Sequence, residues 1–185
     1  MNAFNLTPQR IHEQVYKDLK RICIHESAHL ITAFHLGVYG TYDVWETPPA
    51  TLDEFVSSGA FAGRCKLYAQ PKTEHISRCI GLAGVMAELM VFDHPDDQEG
   101  WGVIQSMACL EDHELSETDL AMIGDLDAAL NSGAAEQTFK LLRTHWQDVE
   151  LEARLYMEMP HIQQAANTIS RKMQNLLATA QGGQP

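Results

Sequence analysis

The sequence predicts a mainly α-helical fold with a small β-hairpin of short strands beside its principal helix. Three observations predict it. Apolar residues keep three-and-four spacing over most of the chain. Helix-start signals stand at Thr7-Pro8 and at Ser116-Glu117-Thr118-Asp119. Only two short runs, Gly40–Glu46 and Gly59–Ala69, read as extended chain. One domain is expected over residues 1–180, with a disordered tail at 181–185.

Taken in order, Met1–Leu6 reads as a frayed end. Thr7-Pro8 is then an N-cap followed by proline at the first helical position. Ile11, Val15, Leu19 and Ile22 keep helical spacing onward to Gly37, a natural stop. One long helix, or two broken near Lys17–Arg21, satisfies this pattern equally. The two short strands are separated by Thr47-Pro48-Pro49. A strand there can pair with an extended peptide or serve as a plain structural hairpin.

Thr73–Phe92 reads as a second apolar helix. Gly81, Ala83, Gly84 and Ala87 give it a small-residue face for close helix approach, and Glu88 is the one acid in its C-terminal half. Asp93–Glu114 is acidic and loop-rich, with a short helix near Val103–Leu110. The capping box at Ser116 opens a helix expected to reach about Asn131. Phe139, Leu142, Trp146, Val149, Ala153 and Tyr156 mark a further helix up to Pro160. Ile162, Ala166, Ile169, Met173 and Leu177 mark the last, and both stripes read as packing surfaces.

Within the first helical run stand His25, Glu26 and His29, an HExxH pattern. Positions i and i+4 of an α-helix lie about 40° apart, one turn above the other. Two imidazoles there can share one zinc ion at about 2.0–2.1 Å. Glu26 sits about 100° round the helix, where a base for a metal-activated water belongs. Cys23, Ile24, Leu30, Ile31 and Phe34 make several faces apolar, so the helix should be buried. Buried histidines and a buried glutamate need partners, and a metal satisfies all three.

A third ligand is sought on another element. Taking Asp119 as reference, Met122, Ile123, Leu126 and Leu130 fall within about 60° of it on a helix, whereas Asp125 and Asp127 point elsewhere. A capping role explains an acid at this position but not its place on the buried face, so Asp119 is the expected third ligand. Glu88 is expected to hold the second ring nitrogen of a ligand histidine, with direct ligation as the alternative. His35 stands at the spacing of the metzincin third histidine, but that signature needs glycine where Thr32 stands. On an unbroken helix His35 would lie about 9 Å along the axis from His29. His113 and His145 carry no spacing in their favour.

These residues resemble a known family. HESAHLITAFHLGV is similar to the HEAGHA…LG segment of the peptidase domain of FtsH-type ATP-dependent zinc proteases. Ala83–Leu89 resembles that family's GGRxAEE helix, and Ser116–Ala121 its GAxxDLxxA segment, whose aspartate is the third zinc ligand. Phe61–Cys65 is placed like its strand along the substrate cleft. The resemblance runs in order over about residues 10–178. Ala28, Val85 and Leu89 depart from the family's glycine, arginine and second glutamate. No lysine follows a glycine, so no phosphate-binding loop and no ATP binding are expected, and the family's membrane segment is also lacking.

Composition bounds the rest. Thirteen basic against 25 acidic residues give a net charge of −12, which disfavours nucleic-acid or anionic-membrane binding. Cys23, Cys65, Cys79 and Cys109 form no CxxC pair, no signal peptide is evident, and no run of 18 uncharged apolar residues occurs. A cytoplasmic protein is expected. The function expected first is a zinc peptidase, one ion held by His25, His29 and Asp119 with Glu26 as base. It would act on unfolded or flexible peptide segments, with a separate delivery partner in place of the ATPase. A zinc-stabilised binding module and a zinc hydrolase of a non-peptide amide are the alternatives.

Overall fold

The computed structural model of the chain describes residues 6–110 and 115–182. The expected frayed end therefore lies outside the described residues except for Leu6, which is buried. The fold is mainly helical with one two-stranded antiparallel sheet, as the sequence predicts. Helix α1 spans Pro8–His35 as one unbroken helix, settling the choice between one helix and two. Thr7 Oγ1 accepts from Arg10 N at 3.2 Å, and Gly37 at φ 76° follows the end.

Strands β1 (Gly40–Glu46) and β2 (Phe61–Leu67) pair through Tyr68 N to Tyr39 O at 2.9 Å and Thr47 N to Ala60 O at 2.8 Å. They are joined not by a tight turn but by helix α2 (Leu52–Ser58). Its seven residues bury only Phe55, so no apolar period could betray it in the sequence. Its cap is nonetheless orthodox, with Thr51 Oγ1 accepting from Glu54 N at 3.1 Å.

Helix α3 spans Glu74–Glu88 and runs on into one π-helical turn, Leu89–Asp93, closed by His94 N to Leu89 O at 2.8 Å. Helix α4 (Trp101–Met107) begins slightly before the expected position. The helix expected from Ser116 to Asn131 is two: α5 (Glu117–Ile123) and α6 (Leu126–Asn131). Gly124 at φ 69° breaks it, and Asp125 starts afresh by accepting from Ala128 N at 2.7 Å. The stripe through Phe139 and Tyr156 is likewise divided, into α7 (Ala134–Thr144) and α8 (Trp146–Met157), by His145 at φ −111°, ψ 24°. Helix α9 spans Pro160–Gly182, so Gln181 and Gly182, expected in a disordered tail, close this helix.

The chain divides into two compact units, each drawn from separate segments. One takes the residues up to Cys23, Val44–Gly63 and those from Arg154 on. In it Ile11, Val15 and Leu19 of α1, Phe55 of α2, and Ile169 and Met173 of α9 are buried. Asp18, 5% exposed, accepts from the backbone N–H of Ala60 at 2.6 Å and of Phe61 at 3.0 Å, which seats the start of β2. The other unit takes Ile24–Asp43 and Arg64–Ala153. Its axis is α3, packed against α5 and α7, and Thr138 Oγ1 of α7 donates to Cys79 O at 3.1 Å. The run Glu74–Asp93 is long and apolar enough to cross a membrane by length and composition, although Arg78 and Glu88 interrupt it. Half of it is buried within the chain, as a core helix requires.

Candidate metal centre

The second half of α1 brings His25, Glu26 and His29 to α3, and the chain reaches them again at α5. Burial follows the sequence argument: Glu26 is 5%, His29 3% and Asp119 3% exposed. Phe34, expected inside, is instead 53% exposed at the end of α1. Close approach depends on glycine. A Cβ on Gly84 would meet Nε2 of both His25 and His29. A Cβ on Gly81 would lie 2.8 Å from Ile123 and 2.9 Å from Met122, so that glycine admits α5. The small-residue face of α3 thus receives two helices.

The outer nitrogens of the two imidazoles are both held. His25 Nδ1–H donates to Glu88 Oε1 at 2.6 Å, and His29 Nδ1–H donates to Ile80 O at 2.6 Å. Glu88 therefore holds the outer nitrogen of His25 and does not stand among the converging atoms. With Nδ1 protonated, each neutral ring turns an Nε2 lone pair inward. The two Nε2 atoms are 3.0 Å apart. Asp119 Oδ1 lies 3.0 Å from His29 Nε2, and Asp119 Oδ2 lies 3.3 Å from His25 Nε2. Asp119 Oδ2 is buried without a hydrogen bond of good geometry, so its proximity to His25 is one of charge.

Acceptor atoms facing one another at such distances need a cation between them. A proton is one solution. Burial alone would lower the His25 pKa, yet the neighbouring Asp119 and Glu88 carboxylates prevail and push it up to about 10. Burial would raise the Asp119 pKa, but His25 and His29 hold it well below the usual carboxylate range. A metal is the other solution. Tetrahedral donors at about 2.05 Å from an ion stand about 3.3 Å apart, close to the three separations found here. The space left by the missing Gly84 side chain lies against both Nε2 atoms. His25, His29 and Asp119 can hold a metal ion.

Asp119 is carried to this point by the cap that the sequence foretold, its own N–H donating to Ser116 Oγ at 3.1 Å. Glu26 lies beside the trio, not in it. Burial pushes its carboxyl above the usual range, against the pull of His25 and His29, and the Cys65 backbone N–H donates to it. A narrow pocket opens over Glu26, His29 and Asp119, walled by Cys65, Leu67, Ile80 and Met122. Cys65 was placed beside the cleft only through the family resemblance, and the Ile80 carbonyl was missed because it leaves no trace in residue type. A wider surface cleft beside Trp146 and Arg143 brings no such donors together.

Neither of the other described candidate histidines, His35 and His145, joins the trio. His35 stacks on His145 with ring centroids 3.5 Å apart, and His113 lies outside the described residues. No protein-family model and no curated protein matches this chain.

Proposed function

We propose that the chain is a zinc-dependent metallopeptidase, similar in its site to the FtsH-type peptidase domains. One observation carries this reading: the inward convergence of His25 Nε2, His29 Nε2 and the Asp119 carboxylate, with Glu26 unligated beside them. Zinc suits two imidazoles and one carboxylate, a donor set that leaves a fourth position open. Bound there, zinc would polarise both a water and a substrate carbonyl. The chain's own residues do the rest. Glu26 takes the proton of the attacking water and returns it to the departing amine. Burial raises its basicity for that task. Glu88 and Ile80 hold the imidazoles in the tautomer that ligates.

The substrate side is strand β2. Its Cys65 and Leu67 wall the pocket, while Arg64 and Lys66 are exposed. An extended peptide laid along this strand brings a backbone carbonyl over the trio, which favours unfolded segments, flexible tails or short peptides. Folded substrates would require a separate delivery partner.

The test is zinc content and casein cleavage for wild type, Glu26→Gln and Asp119→Ala. Glu26→Gln should keep its zinc and lose about a hundred- to ten-thousand-fold in kcat. Asp119→Ala should lose zinc and cleavage together. A wild type that binds zinc but cleaves no unfolded or peptide substrate would overturn the peptidase in favour of a zinc-stabilised binding module.

A further inference from the structure

Two of the histidines outside the trio meet each other. His35 is the last residue of α1, and His145 occupies the break between α7 and α8. Their rings stack at 22° with centroids 3.5 Å apart. Asp148, three residues along in the first turn of α8, accepts from His145 Nδ1 at 3.3 Å. One nitrogen of His35, one of His145 and one carboxylate oxygen of Asp148 all lie within 4.8 Å of one another.

Helix capping does not account for this set. Asp148 favourably faces the N-terminus of α8, which explains the acid. It does not explain why His35, from the far end of another helix, lies face to face with His145. Two imidazoles so close cannot both carry charge cheaply. Slight burial and the neighbouring His145 hold the His35 pKa below the usual histidine range, in the neutral form that ligates metals. The group is open to solvent: His35 and Asp148 are exposed and His145 is half-buried.

We propose that His35, His145 and Asp148 form a second metal site, which takes an exchangeable divalent cation of the imidazole-preferring class, zinc foremost. Its donor set repeats that of the buried trio, but at the surface, without partners behind every ring and therefore with weaker affinity. An ion here ties the end of α1, the helix that carries His25 and His29, to the start of α8. The chain's net charge of −12 favours the cation's approach.

Equilibrium dialysis of the full chain against zinc chloride, read by elemental analysis, tests this. Wild type should take up a tightly held ion and a second one that mild chelation removes. His145→Ala and Asp148→Asn should each lose the second while keeping the first, with unchanged circular dichroism. His29→Ala should do the reverse, keeping the removable ion. Identical zinc uptake by wild type, His145→Ala and Asp148→Asn overturns the second site. A wild type with only a removable ion, abolished in His145→Ala, upholds it while refuting the buried centre.

Discussion

At the scale of single residues, the centre is asymmetric. His25 leans on the Glu88 carboxylate, whereas His29 leans on a backbone carbonyl that no substitution can delete. Glu88→Gln should therefore lower zinc affinity by about ten- to a hundredfold while leaving the three ligands in place. Competition against a chromogenic chelator measures it, and an unchanged affinity would show that the Glu88 contact does not tune the metal. The placement of His25, Glu26 and His29 was legible in the sequence because helical spacing alone sets it. Asp119 was also found, but on an argument only half correct. The stripe was counted through Leu126 and Leu130, whereas Gly124 ends α5 before either. The capping box and Ile123 were enough. Glu88 was legible as a lone acid on an apolar helix; which ring it would hold was not.

At the scale of elements, α3 decides how closely the others assemble. Replacing Gly84 with alanine improves intrinsic helix propensity by about 1 kcal/mol. It also thrusts a methyl group against Nε2 of both His25 and His29. Gly84→Ala should therefore bind little or no zinc while retaining its helix content, measured by metal analysis beside circular dichroism. Full zinc occupancy in that variant would overturn the assignment of the metal to the space beside Gly84. The sequence marked the small-residue face but not what lay upon it, because residue type records available space and not its occupant. The missed elements share a cause. Helix α2 is too short to show a period, and the divisions at Gly124 and His145 interrupt stripes whose apolar spacing continues across them. Periodicity reports which face is buried, not whether the backbone stays continuous.

At the scale of the whole molecule, the proposed metal would compete with a proton for one place. His25 is pushed up to about 10 in the metal-free chain, from an ordinary 6.5. A raised folded-state pKa contributes stability that is complete below the unfolded value and is lost as pH rises through the folded one. Asp119, shifted down, contributes stability that is present above the ordinary carboxylate range and lost in acid. Zinc requires His25 neutral, so its affinity rises with pH over the same window. The melting temperature of the metal-stripped chain should fall between about pH 7 and pH 10, and the gap to the zinc-loaded chain should widen. A gap that stays constant or narrows contradicts the exchange of proton for metal. Finally, the division of the chain carries a consequence for its biosynthesis. Helix α1, both strands and α8 each begin in one unit and finish in the other. The unit holding the start of α1 also needs α9, whose Ile162, Ala166, Ile169, Met173 and Leu177 are buried. A nascent chain thus cannot complete that unit until its last helix has cleared the ribosome, and no single cut in the gene can release either unit intact.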